Sequence, residues 1–143
     1  MAKRIEPSRK SPEERLDDLL EGHRDASSRG EGGRYAGRVL RASDSLPNAV
    51  QFFAYALHAA DEKDEEAALE SLARAEAYLE AARAELPRRL AKELPSLRFL
   101  ERGLALRSDR GEFDEALRLC DVAFSLGLGP AWERKKASLS RMV

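Results

Sequence analysis

The sequence predicts an all-α protein built of stacked antiparallel helix hairpins, about six to seven helices preceded by a flexible N-terminal arm. Three observations carry that expectation. Charged residues make up 36% of the chain and aromatic residues only 6%, and much of the rest is Ala and Leu, which suits helices better than strands. From Ser45 onward apolar residues recur at three- and four-residue steps, the period of a helix face. Short polar or glycine-bearing segments separate these stretches and allow each helix to fold back on the one before it. At 143 residues the chain is long enough for one packed body. The expected division is a basic tail, short helix and Gly/Ser-rich linker over 1–34, then a helical-hairpin domain over 35–143.

Residues 1–10 carry Lys3, Arg4, Arg9 and Lys10 against Glu6 alone, with almost nothing apolar, and read as a mobile tail. A helix start follows. Ser11 can cap, Pro12 suits the first helical position and Glu14 stands where a capping box needs its carboxylate. Leu16, Leu19 and Leu20 form the apolar stripe, and Gly22 is expected to stop the helix. Residues 25–34 hold three glycines and two serines and read as a linker. Tyr35–Arg41 can add a short helical piece through Tyr35, Val39 and Leu40, weakened by Gly37.

Ser45-Leu46-Pro47-Asn48 reads as the start of a helix whose Val50, Phe52, Phe53, Ala54, Ala56 and Leu57 make it apolar nearly all round. Such a helix belongs in the middle of a packed body. After the polar turn Asp61–Asp64, residues 65–85 show a long amphipathic pattern through Ala68, Leu69, Leu72, Ala75, Leu79 and Ala82. Pro87 and Pro95 disfavour helical geometry at Leu86 and Leu94, so breaks are expected at both. A short piece then covers Arg88–Glu93, and another helix runs from Pro95 to about Arg107. Ser108–Gly111 is a turn, and residues 112–126 form a helix with Phe113, Ala116, Cys120 and Ala123 on one face. Gly127-Leu128-Gly129-Pro130 stops it and starts a last helix through Trp132, Leu139 and Met142.

Charge is balanced overall, with 25 Lys+Arg against 26 Asp+Glu, so nothing draws the whole molecule to nucleic acid or to an anionic membrane. Locally it is not balanced. Residues 61–80 carry a net of −6 and residues 83–102 a net of +3, a pattern that predicts pairing between neighbouring helices or separate faces for separate partners. No apolar run approaches the roughly 20 residues of a spanning helix. The start lacks a secretory apolar stretch, and Cys120 is the sole cysteine. Together these predict a reducing, cytoplasmic setting and no membrane partner.

Laid at an offset of 48, residues 65–78 place Ala68, Leu69 and Ala75 on Ala116, Leu117 and Ala123, with Leu72 on Cys120. The stretch Gly111–Phe124, with Gly111, Phe113, Ala116, Cys120 and Ala123 at their steps and Pro130 beyond, resembles the turn and second helix of a tetratricopeptide repeat. The earlier hairpin is a degenerate unit, with Lys63 and Glu65 where glycine and the aromatic belong, and Leu100 stands where the family favours Trp. The resemblance implies a short α-solenoid acting as an adaptor or scaffold, whose first helices line a groove for a peptide or partner helix. Carried onto this chain, that groove would present Phe53, Leu57, Arg98, Glu101, Arg102, Arg134 and Arg141. Arginines there suit an acidic segment, because a guanidinium grips a carboxylate through paired hydrogen bonds.

Catalytic patterns fail by spacing. His23 and His58 are 35 residues apart and there is one thiol, so no zinc spacing exists. Asp61-x-Lys63-x-Glu65 lacks the glycine and ligand series of a calcium loop. Gly30-Glu31-Gly32-Gly33 follows no strand and precedes no Lys-Ser/Thr, so it is no phosphate cradle. Cys120 lies on an apolar stripe and reads as a small core residue. The expectation is a non-enzyme without metal or cofactor that binds another protein. The alternatives are a nucleic-acid-associated protein using the basic arm with Arg29, Arg34, Arg38 and Arg41, and a small regulatory subunit docking on an enzyme through Pro12–Glu21.

Overall fold

The computed structural model describes residues 10–42 and 46–142. Lys3, Arg4 and Arg9 of the basic arm, and Ser45, lie outside the described residues. Among the described residues there are eight helices and no strand: α1 Pro12–Ser27, α2 Gly32–Arg41, α3 Asn48–Asp61, α4 Glu65–Glu85, α5 Pro87–Leu97, α6 Phe99–Asp109, α7 Phe113–Ser125 and α8 Ala131–Ser140. None is long and apolar enough to cross a membrane.

Local chemistry sets most of the boundaries. Ser11 Oγ accepts from the Glu14 N–H while Glu14 Oε1 accepts from the Ser11 N–H, at 3.1 and 2.9 Å, which completes the capping box that opens α1. The Asp64 carboxylate accepts from the Ala67 N–H at 2.9 Å and opens α4. Gly111 sits at φ 74° between α6 and α7, and Gly127 and Gly129 take φ of 72° and 99° between α7 and α8. These left-handed conformations cost glycine little.

Three boundary expectations need correction. Helix α1 does not stop at Gly22. The Tyr35 hydroxyl occupies the place a Cβ at Gly22 would take, so the missing side chain lets α2 approach α1 and does not end a helix. The 25–34 stretch is no extended linker: α1 reaches Ser27 and α2 begins at Gly32. A Cβ at Gly33 would stand 2.9 Å from the Asp61 carbonyl oxygen, so this glycine too serves close packing. The short helix expected at 12–22 therefore belongs to the packed body, with Leu16 and Leu19 in the core. Helix α5 runs through Pro95, and the break falls instead at Arg98, a non-glycine residue at φ 63°. There the chain turns between buried Leu97 and buried Phe99.

Apart from α5 and α6, consecutive helices pack against each other, an arrangement compatible with a helical repeat. Helix α3 is central and touches α1, α2, α4, α5 and α6. It runs antiparallel to α4: Tyr55 stacks on Tyr78 with ring centroids 5.8 Å apart, and His58 reaches back to Ser71. Phe52 and Phe53 are fully buried on α3, and Phe52 meets both Phe53 and Phe99 edge to face at 5.1 and 5.6 Å. Ala68, Leu72 and Ala75 of α4, and their offset counterparts Ala116, Cys120 and Ala123 of α7, are all buried. Gly103 brings α6 close to its neighbours, since a Cβ there would lie 2.6 Å from Leu72 and 3.1 Å from Leu119.

The acidic α4 finds its bases on the α6–α7 hairpin. Arg118 holds Glu76 with two bonds of 2.6 and 3.1 Å, and Arg110 reaches Glu65 and Glu66 at 3.3 and 2.8 Å. These contacts relieve the like-charge crowding along α4.

Candidate functional site

The helices α1, α3 and α6 follow one another in a row, with α3 packed directly on both others. The row does not continue in the same way. Helices α6 and α8 each pack on α7, and a cleft of about 450 Å³ opens between them. Leu104 and Ser108 form its α6 wall, and Arg134, Lys135, Ser138 and Leu139 its α8 wall. Leu104 and Leu139 are 8% and 7% exposed, so they belong to the core beneath the cleft and offer it little apolar surface.

The cleft's charge comes from local choices on α8. Of its three consecutive bases, Lys136 turns away to Asp121 at 2.8 Å, and that bond holds the ammonium above the usual lysine range. Lys135 lies over the ring of Trp132, 5.7 Å from the centroid, where the π-face attracts a cation without neutralising it. Arg134 is exposed and, among the described residues, makes no ion pair. No carboxylate lines the cleft. Two cations therefore border the cleft, where an incoming carboxylate can form charge-assisted hydrogen bonds.

The residues expected to line one groove do not share one. Phe53 and Leu57 are core residues, 0% and 6% exposed, because α3 is covered on nearly every side. Arg102 serves the fold: its Nη1 donates to the carbonyls of Ala59 and Ala60 at 3.3 and 3.1 Å, satisfying the C-terminal end of α3. Arg98 makes the α5–α6 corner, and Glu101 is half-buried one turn before Leu104. Arg134 is in the cleft, and Arg141 is exposed just beyond α8. Sequence reasoning missed Lys135 and Ser138. The run Arg134-Lys135-Lys136 beside the single Trp132 was the available signal, but nothing local reveals that a cleft opens between α6 and α8.

A second cleft, of about 540 Å³, lies between the glycine face of α2 and the end of α3, and holds Arg41, His58, Asp61 and Lys63. Its carboxylates are occupied. Asp61 Oδ2 meets His23 Nε2 at 2.6 Å, Asp64 caps α4, and Glu62 accepts from the Lys63 N–H. Ser27 Oγ approaches the same His23 nitrogen at 3.4 Å. A nucleophilic relay needs the hydroxyl and the carboxylate on opposite ring nitrogens, so this trio is a polar seam between helices. His58 shares a 2.6 Å hydrogen bond between Nδ1 and Ser71 Oγ, and burial holds its pKa below the ordinary value. Cys120 is buried, and burial pushes its thiol up, which disfavours the reactive thiolate. Among the described residues no group of His, Cys, Asp and Glu is arranged to hold a metal ion.

Compared with protein-family models, with curated proteins and with solved structures, the chain finds no match in any of the three.

Proposed function

We propose that the protein is a non-catalytic interaction module, a short α-solenoid of tetratricopeptide-like hairpins that receives a segment of a partner protein between α6 and α8. The observation that carries this reading is the break in the row of helices. α3 packs on both α1 and α6, whereas a cleft bordered by Arg134 and Lys135, with no carboxylate among its lining residues, lies between α6 and α8. The helical-repeat reading draws support from Gly111, whose positive φ suits glycine at the hairpin turn, and from the buried small faces of Ala116, Cys120 and Ala123.

A protein partner is favoured over nucleic acid because several of the basic groups offered for phosphate contact already have carboxylate partners. Lys10 pairs with Asp18 at 2.6 Å, Arg29 with Asp25 at 2.8 Å and Arg34 with Glu31 at 3.9 Å. Neutralised bases release fewer counterions and bind polyanions less tightly.

The test is site-specific photo-crosslinking in cell extract, with the crosslinker at Ser138 in the cleft and, as a control, at the exposed Ala73 on α4. The expected result is a discrete protein adduct from Ser138 alone, lost when Arg134 and Lys135 are both changed to Glu. The same adducts from both positions would sink the assignment.

A further inference from the structure

Far from the α6–α8 cleft, the chain's two histidines come together at the last turn of α3. His58 lies on that turn, and His23 of α1 reaches Asp61, the residue that ends it. We propose that the packing of α2 on α3 is a pH-sensitive joint, in which a proton taken up by His58 frees α2 while α1 stays docked.

The His58 ring is wedged between two neighbouring helices. Its Nδ1 shares a 2.6 Å hydrogen bond with Ser71 Oγ of α4. Ser71 is 5% exposed, so that side of the ring is closed to water. Its Nε2 faces α2: Nε2 and Arg41 Nη1 lie 3.6 and 3.5 Å from the point where a Cβ at Gly37 would stand. Gly37 is itself buried, so α2 covers the ring edge that carries Nε2. The cleft between α2 and the end of α3 reaches His58, and the way to water runs along it. Of the two helices against the ring, α2 has the weaker hold. It has 10 residues and no side-chain cap at its start, whereas α4 has 21 and is capped by Asp64.

An imidazolium is poorly served in that place. Burial is the largest influence on His58 and disfavours the charged ring, Glu62 opposes this, Arg41 of α2 reinforces it and Asp61 opposes it. Both carboxylates are already engaged, Glu62 with the Lys63 N–H and Asp61 with His23. From α4 comes the neutral Ser71, and from α6 a further cation, Arg102, bonded to the Ala59 and Ala60 carbonyls beside His58. Parting α2 from α3 hydrates the ring and restores its ordinary proton affinity. Above pH 6.5 the ring is neutral in either arrangement and the joint stays shut. Below it the open arrangement takes up the proton first, so acid favours opening. His23 acts in the opposite sense. Once protonated, its 2.6 Å contact with Asp61 is an ion pair, which holds α1 to α3.

The experiment follows amide hydrogen exchange in the full chain by NMR at pH 7.5 and 5.5, with rates corrected for the intrinsic effect of pH. The α2 amides should lose protection severalfold at the lower pH, and the α1 and α4 amides should not. The His58 ring resonance should titrate with the same midpoint as the α2 amide shifts. His58→Gln keeps a hydrogen-bonding partner for Ser71 but takes up no proton, and should leave α2 equally protected at both pH values. His23→Gln should leave the α2 loss in place.

Unchanged α2 protection between the two pH values overturns the inference. An equal loss in α1, α2 and α4 overturns it too, because the chain would then be unfolding as a whole. So does an α2 loss that survives in His58→Gln or vanishes in His23→Gln. Circular dichroism shows whether the His58 variant folds. If it does not, the wild-type titration decides, since α2 shifts with a midpoint away from that of the His58 ring assign the change to another group.

Discussion

His58 shows how one side chain can be half-legible in a sequence. Its neighbours Ala56, Leu57, Ala59 and Ala60 mark it as packed, and it is half-buried with Nδ1 bonded to Ser71 Oγ. Desolvation is the largest influence on its pKa and lowers it, Glu62 and Asp61 oppose this, and Arg41 reinforces it. The folded state therefore disfavours the imidazolium. Above the ordinary value of 6.5 the group is neutral folded or unfolded and adds no pH dependence. As pH falls below that value the unfolded chain takes up the proton first, and stability declines until the folded-state pKa is passed. Urea unfolding between pH 7.5 and 5 should show this decline, and His58→Gln should flatten it. A second residue-scale expectation concerns Phe52, fully buried between Phe53 and Phe99. Phe52→Ala should cost about 3–5 kcal/mol, read as a lower denaturant midpoint with an unchanged slope.

Among the helices, the instructive cases are the prolines and glycines. Proline restricts the residue before it, and on that rule Leu86 and Leu94 both mark breaks. Leu86 does end α4, yet α5 continues through Pro95 and the chain breaks at Arg98. Packing decides the matter, since Leu90, Leu94 and Leu97 are all buried and a continuous α5 sets them on the core together. The cost is a left-handed arginine at the α5–α6 corner. Arg98→Gly should relieve that strain and raise stability by about 1 kcal/mol, visible as a higher melting temperature. No gain would mean that the corner is held by contacts of the Arg98 side chain. Gly22 and Gly33 teach the reverse lesson. Both look like helix breakers, and both sit inside helices where a Cβ would meet Tyr35 or the Asp61 carbonyl.

For the molecule as a whole, stability should be graded outward from α3. Its Ala49, Val50, Phe52, Phe53, Ala54 and Ala56 are 0% exposed, and it touches five other helices. Helix α8 touches α7 and buries only Trp132 and Leu139. Native-state hydrogen exchange should find the α3 amides opening only with global unfolding and the α8 amides opening locally at lower free energy. Equal protection in both would contradict this gradient. Long-range charge contacts also work at this scale. Arg118 on Glu76 and Arg89 on Asp17 join helices 42 and 72 residues apart in sequence, each through a bond shorter than 3 Å.

Where signals act within about four residues of chain, the sequence determined the result. The Ser11 capping box, the Asp64 cap, the span of α4, the central placement of α3 and the stop at Gly127–Gly129 all follow from side chains acting on their own backbone or from a period that every turn repeats. Only the tertiary structure decided that Phe53 and Leu57 are covered, that Arg102 ends α3 instead of facing a groove, that three glycines are points of close approach, and that a cleft opens between α6 and α8. Each of those depends on which surface meets a side chain from tens of residues away. Helical periodicity tells which face of a helix is apolar, but leaves open which neighbour, if any, comes to cover it.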